Sequence, residues 1–358
     1  MMPQTINPAN FTLLPEHWQG LGPILLMTAG ILLSMLLATV SFKGRVGKLP
    51  LFLFSAMVVI AAGAWTGLFW VREPMAVFGG LIQLDYFSSF FSALLLGATL
   101  LVMLSSYSYL EEGHIHYSEF YPILMSATLG MMLLAASAEL LTIFVSLELM
   151  SLMVYVLVGL RRRSAFSNEA SVKYFLLGGA SSAIFLYGTA LIYGALSTTK
   201  LNAIAVAMQA NNGAALSNPV LIAGIVLLLV GLLFKVAAVP FHMWTPDVYE
   251  GAPSNVTSYM ATAVKAAVFA AFIRISVSLF GDAGVGHLGN LQGVIHGAIW
   301  LLALLTMVVG NFVALMQTNL KRLMAYSAIA HTGYLLVGIL AGPSTGYAGI
   351  AFYLVAYT

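Results

Sequence analysis

The sequence predicts an all-α polytopic membrane bundle, and three observations carry that prediction. Of its 358 residues, 61% are hydrophobic and 7% are charged, whereas a soluble globular domain carries roughly 25% charged residues. Apolar runs long enough to cross a bilayer, about 20 residues each, recur almost without pause. The alternating pattern of a membrane β-barrel is absent, and only a helix satisfies every backbone group within its own segment. A chain with so little charge could not cover a water-facing surface, so lipid is the solvent that fits.

In chain order the predicted spans are 21–41, 50–71, 86–108, 120–137, 139–160, 169–196, 219–244, 254–280, 292–316, 323–341 and a run starting near 346, about eleven in all. A polar leader, residues 1–20, precedes the first. The C-terminal flank of that run is basic (Lys43, Arg45, Lys48) in place of a small-residue cleavage site, which argues against a cleavable signal peptide. The longest spacer, 197–218, is rich in Asn and Ala and reads as an ordinary loop. No segment is large or polar enough for a soluble domain. The last run reaches Thr358 inside an apolar stretch, which predicts a chain truncated at its C-terminus.

Basic residues set orientation. With the N-terminus outside the cytoplasm, the inward loops hold Lys43, Arg45 and Lys48, then Arg161, Arg162 and Arg163, then Lys321 and Arg322. The outward loops hold only Arg72 and Lys200. An N-terminus outside the cytoplasm is the expectation. Twelve acidic residues against fourteen basic ones give no pointer to nucleic acid. The absence of cysteine excludes disulfides, thiolate zinc sites and cysteine-ligated iron–sulfur clusters in this chain.

Five charged residues fall inside predicted spans: Glu148, Lys173, Lys235, Lys265 and Arg274. A charge at mid-bilayer costs at least ~2.5–3.5 kcal/mol, so such residues are functional candidates. Glu148 lies near the middle of "FVSLELMSLMVYVL", with Ser151 and Tyr155 on its face; the alternative is a carboxylate that only locks helices together. Glu139, at a span boundary, reads as solvated. Lys173 lies one turn into its span, where snorkelling to the interface is an equal alternative. Lys235 lies in "GLLFKVAAVPFHMWTPDVYEGAP". Pro240 lacks an N–H and clashes with the carbonyl of Val236, so this helix should break beside its own charge. Lys235 and His242 are spaced to share a helical face. Broken helices at membrane depth are tolerated where they line a cavity or are buried in protein. Lys265 lies too far from either end of its span to snorkel, whereas Arg274 is placed to do so. His331 has Ser327 and Tyr334 on its face, an arrangement that suits a structural histidine as well as a relay. A Glu–Lys pair in a dry interior titrates as a unit. Opening and closing such a pair would take up and release protons, with Lys235, Lys265 and His331 carrying them between access paths.

The stretch "LFKVAAVPFHMWTPDVYEGAPSNVTSYMATAVKAAVF" resembles the subunit N family of antiporter-like membrane subunits of bacterial NADH–quinone oxidoreductase, respiratory complex I. It is similar also to the counterpart of that subunit in the cyanobacterial and plastid complex. The wording "HMWTPDVYEGAP" looks like this subunit rather than its paralogues L and M, which tend to carry a "WLPDA…EAP" version. "SLELMSLMVYVLVG", "NEASVKYFLLGGASSAIFLYG" and "NLKRLMAYSAIAHTGYLLVG" match as well, in the family's order.

The resemblance implies about fourteen helices with two inverted five-helix repeats, each containing one broken helix. On that template residues 21–118 are N-terminal helices, 119–280 the first repeat, and 291–358 the start of a truncated second. The fifth-helix glutamate falls on Glu148, the sixth-helix lysine on Lys173, the broken-helix lysine on Lys235 and the eighth-helix lysine on Lys265. His242 would belong to the hydrated central axis. The implied function is proton translocation coupled to electron transfer from NADH to quinone. NADH, FMN, iron–sulfur clusters and quinone would sit in partner subunits, since this chain has no phosphate-cradling glycine fingerprint on a strand–helix turn. The implied partners are other complex I membrane subunits and lipid, and the implied location is the bacterial inner membrane. "LLGGASS" reads as a small-residue patch for close helix packing. The rival readings are a subunit of a multisubunit sodium/proton antiporter and a structural membrane scaffold that moves nothing.

Overall fold

Local signals in the sequence set where the helices start. Asn218 caps one helix by accepting from the Val220 amide at 2.9 Å, with Pro219 at the first helical position where its missing N–H costs nothing. Asn319 caps another through the Lys321 amide, also at 2.9 Å. The computed structural model describes residues 13–42, 48–112, 118–209, 217–280, 291–343 and 345–358. Lys43, Arg45 and residues 1–12 of the predicted leader lie outside them.

The helices are α1 (Pro15–Phe42), α2 (Lys48–Leu68), α3 (Tyr86–Glu112), α4 (Phe120–Ala136), α5 (Leu140–Val158), α6 (Ala165–Leu196), α7 (Leu201–Gln209), α8 (Pro219–Lys235), α9 (Thr245–Gly251), α10 (Ser254–Tyr259), α11 (Lys265–Phe280), α12 (Leu291–Leu315), α13 (Leu320–Ala341) and α14 (Gly346–Tyr357). Among the described residues eight helices are long and apolar enough to cross a membrane, α10 and α11 counting as one. Three further predicted spans correspond to the shorter apolar helices Phe120–Ala136, Pro219–Lys235 and Gly346–Tyr357. The architecture is an all-α polytopic membrane bundle.

Two elements depart from expectation. The spacer read as a loop at 197–218 contains α7, which buries Leu201, Ile204 and Met208 on one face. Between α2 and α3 the chain forms a small antiparallel hairpin, β1 (Met75–Val77) with β2 (Ile82–Leu84). Its turn needs positive φ at Gly79 and Gly80, which glycine adopts without strain. Val77, Ile82 and Leu84 pack with Leu21, Val71 and Ala136 in a small apolar cluster at one end of the bundle. Runs of three residues are too short to announce themselves in an apolar sequence.

Helices meet through small residues, as helices in lipid do. A Cβ on Gly130 of α4 would lie 2.6 Å from the Met150 amide nitrogen of α5. The same close approach recurs between α12 and α13, where a Cβ on Gly310 would lie 2.8 Å from the Ala330 nitrogen. Gly188 of α6 and Gly224 of α8 press on each other's helices in the same way, and Gly178 leaves room for the Tyr155 ring. The small-residue patch in α6 therefore packs as the sequence suggests. The paired helices α4–α5 and α12–α13 give the bundle an internal likeness.

Two charges differ from the sequence reading. Arg274 does not snorkel. Its guanidinium grips Asp85 with both nitrogens, at 2.8 and 3.0 Å, and its Nε donates to the Ala135 carbonyl at 2.6 Å. Glu139 is not solvated but 5% exposed. It caps α5 by accepting from the Thr142 amide at 2.9 Å and hydroxyl at 2.7 Å, and the Thr199 hydroxyl closes its other oxygen. A carboxylate with three donors at a helix N-terminus is stabilised by those bonds and by the helix dipole.

The glycine contacts make a direct prediction. Gly130→Val drives a branched side chain into the α5 backbone and should destabilise the protein by about 3 kcal/mol or more. Gly97→Val, at a position open to within 4 Å, should leave stability unchanged. Thermal unfolding of the detergent-solubilised variants checks both, and equal stability of the two would refute this packing.

Candidate functional site

The site is built on a helix that stops too soon. α8 runs as a buried apolar helix and ends at Lys235. Ala237 then takes a left-handed conformation (φ 58°), and the Val239–Pro240 peptide is cis. Helix resumes only at Thr245. The predicted break is therefore present, and it falls directly after the lysine. It also undoes one expectation: because the helix ends at Lys235, Lys235 and His242 do not share a helical face. His242 lies half-buried in the connecting segment, where its carbonyl accepts from the Thr245 amide at 3.0 Å.

A break of this kind frees backbone groups that lipid cannot satisfy. Here side chains satisfy them. Thr332 of α13 donates to the Val236 carbonyl at 2.7 Å, and the Val239 amide donates to the Thr306 hydroxyl of α12 at 3.0 Å. The Trp244 indole N–H folds back to the Phe234 carbonyl at 3.2 Å. Trp244 in turn stacks on Tyr174 of α6, with ring centroids 4.6 Å apart and planes within 9°.

Lys235 is 8% exposed, and its ammonium points at α5. It donates to Ser151 at 3.0 Å and to the Tyr155 hydroxyl at 3.4 Å, and lies 3.8 Å from the Glu148 carboxylate. At 3.8 Å the pair attracts through charge, without a direct hydrogen bond. Glu148 accepts instead from Ser182 of α6. Three helices thus converge on one ion pair, and the α5 face read from the sequence (Glu148, Ser151, Tyr155) is the face Lys235 meets.

Lys265 forms a second centre. It is 5% exposed, follows a π-helical turn at Met260–Val264, donates to the Ala328 carbonyl of α13 and lies 5.7 Å from the Tyr357 ring centroid. Tyr357 also contacts the His331 ring, at 4.6 Å, and His331 Nδ1 shares a hydrogen bond with the Tyr353 hydroxyl. Tyr334 packs edge-on against the same imidazole. Between the two centres lies a small cavity lined by Lys235, Thr245, Tyr249 and Lys265 among others. It has room for about one water.

Lys173 stands apart from both centres. It is 42% exposed and is paired with Glu169 at 2.9 Å and Asp247 at 2.8 Å. Asp247 and Glu250 of α9 also bind Arg322 of α13, at 2.7 and 2.9 Å. Lys321 closes the end of α9 by donating to the Ala252 carbonyl at 2.7 Å. These charges form a clasp across α6, α9 and α13, beyond the break. Sequence reasoning alone does not find Ser182, Asp247, Arg322, Thr306 or Thr332. Asp247 lies within "TPDVYEGAP", where its acidic side chain is the available signal, and no local signal points to the threonines. Among the described residues, no group of three His, Asp or Glu side chains is placed to hold a metal ion.

Residues 137–358 match the family model described as NADH:quinone oxidoreductase/Mrp antiporter, TM. The chain is 49% identical over 281 residues to NADH-quinone oxidoreductase subunit N of Trichlorobacter lovleyi, covering 78% of this chain and 56% of that relative. It is 38% identical over 349 residues to NADH-quinone oxidoreductase subunit N 1 of Thermodesulfovibrio yellowstonii, covering 98% and 71%. The chain thus spans a little over half of the first relative's length. Among solved structures it resembles a chain of respiratory complex I from Thermus thermophilus with bound aureothin, at a TM-score of 0.74 and 35% identity, covering 94% of this chain and 67% of that one.

The clasp yields a pH prediction. Lys173, and after it Arg322, hold the Asp247 carboxyl below the usual carboxylate range. A carboxyl with a lower value folded than unfolded contributes stability in full above about pH 3.9, and loses it as pH falls through the folded value. Asp247→Asn should therefore lower the thermal stability of the solubilised protein at pH 7, modestly because the pair is partly solvated. The gap from wild type should narrow as pH drops below about 4. A gap that is constant with pH would contradict the ion-pair account.

Proposed function

The chain belongs to the NADH:quinone oxidoreductase/Mrp antiporter transmembrane family, and from that premise we propose that it is a proton-translocating, non-redox membrane subunit of an NADH–quinone oxidoreductase. The observation that carries the reading is the Lys235 ammonium, buried at a helix break and 3.8 Å from the Glu148 carboxylate. An unpaired charge in such an interior is strongly unfavourable. A shift of the broken segment that draws Lys235 away from Glu148 therefore drives a proton onto the carboxylate. Closing the pair reverses the exchange. Ser151, Ser182 and Tyr155 hold the two groups in line for it.

Lys265 is the next station, across the small cavity, and His331, bonded to the Tyr353 hydroxyl, lies on the far side of the Tyr357 ring. Lys173, in the Asp247 clasp, is positioned to exchange protons with water. His242 joins the path by its place in the connecting segment. The eleven apolar helices act as spans, with the N-terminus outside the cytoplasm of a bacterial inner membrane. Residues 119–280 form the first of two inverted repeats, and 291–358 open the second. Other membrane subunits of the complex flank this one, and NADH, FMN, iron–sulfur clusters and quinone are held by partners.

The family description also embraces sodium/proton antiporter assemblies, and a buried Glu–Lys pair suits either ion. The two readings separate in one experiment. In closed vesicles carrying the assembled full-length protein, Lys235→Met should lower both donor-to-quinone electron transfer and proton pumping, by about tenfold or more. Wild-type pumping should need no sodium. Normal rates in Lys235→Met would make the lysine structural. Sodium-dependent exchange without an electron donor would favour the antiporter reading.

A further inference from the structure

The two buried lysines are tied to one another through α13 by an atom-to-atom path. The Val236 carbonyl, one residue after Lys235, accepts from Thr332 Oγ1 at 2.7 Å. The same hydroxyl lies 3.3 Å from the carbonyl of Ala328, one turn earlier on α13. Ala328 is also the residue whose carbonyl receives the Lys265 ammonium. A single hydroxyl thus bridges the backbone that positions Lys235 and the backbone that anchors Lys265. Three residues past Val236, the Val239 amide is held by Thr306 of α12. Thr306 and Thr332 are both wholly buried.

The chemistry of the bridge is demanding. Val236 O and Val239 N have lost their helical partners, and without the threonines each would be a bare backbone group inside the bundle. A buried group left unpaired costs more than the hydrogen bond itself contributes. The broken segment must therefore follow α12 and α13 when they move, or lose both bonds. A displacement of α13 acts on both lysines together, because Thr332 and Ala328 share one helical turn.

We infer that Thr332 is a positioning residue that couples the setting of Lys235 to that of Lys265, with Thr306 holding the far side of the break. The inference deepens the proton-relay reading above and rests on it. It names how movement in the helices that follow the break reaches the pair that exchanges the proton.

The test uses the assembled full-length protein in closed vesicles, with Thr332→Val, which keeps the shape and removes the hydroxyl, and Thr332→Ser, which keeps the hydroxyl. The amount of assembled protein is measured beside pumping. The expected result is that Thr332→Val assembles but pumps about tenfold more slowly, while Thr332→Ser stays within about threefold of wild type. Adding Lys265→Met to Thr332→Val should do less further harm than Lys265→Met does alone, since coupled residues are not additive. Should Thr332→Val fail to assemble, Thr306→Val and Thr306→Ser put the same question to the other end of the break, with the same expected contrast. Normal pumping in Thr332→Val, or equal loss in the Val and Ser variants, overturns the positioning role. Lys235→Met is run alongside. If it pumps normally the relay reading itself falls; if it fails while Thr332→Val pumps normally, only the coupling is wrong.

Discussion

Backbone hydrogen bonding in a medium without water governs this structure. A helix that crosses lipid satisfies its interior backbone groups within its own segment. α8 breaks off inside the bundle. It stops at Lys235, and the groups it frees are taken up by Thr332, Thr306 and Trp244. Because those partners come from α12, α13 and the connecting segment itself, the break is stable only inside the assembled bundle. The lysine at its edge inherits that dependence, and its position is set by helices distant in sequence.

Charge is placed with the same economy. Near one end of the bundle the Arg274 guanidinium is held by Asp85 and by the Ala135 carbonyl, and Glu139 is closed by three donors. Beyond the break, Asp247 and Glu250 bind Lys173 and Arg322. Between these fixed charges lie Lys235, with its carboxylate 3.8 Å off, and Lys265, held by a carbonyl and an aromatic ring. The outer pairs are bonded closely in several directions. The inner pair has no direct hydrogen bond between its two charges, each of which is bonded to a serine instead.

Much of this is legible in the sequence, for physical reasons. A charged residue in an apolar run stands out by its cost, which picks out Glu148, Lys235 and Lys265. Proline's missing N–H locates the break at Pro240. What the sequence conceals depends on distance along the chain. Nothing near Arg274 announces Asp85, 189 residues away, so snorkelling is the reasonable local reading. Glu139 looks like a solvated helix end because its third donor, Thr199, comes from another loop. Lys235 and His242 have helical spacing, but the break that Pro240 implies cancels it. Thr306 and Thr332 are ordinary residues for a membrane helix, and only the neighbouring broken backbone gives their hydroxyls a task.

The central claim is that the Glu148 carboxylate changes its protonation as the protein works. Reaction-induced infrared difference spectroscopy on the assembled complex, comparing wild type with Glu148→Gln, tests it most directly. The account predicts a carboxyl band that appears or disappears on turnover in wild type, shifts in deuterium oxide, and is missing in the variant. The same carboxyl signal in both proteins, or none in wild type, would contradict it and leave the buried pair as a structural tie.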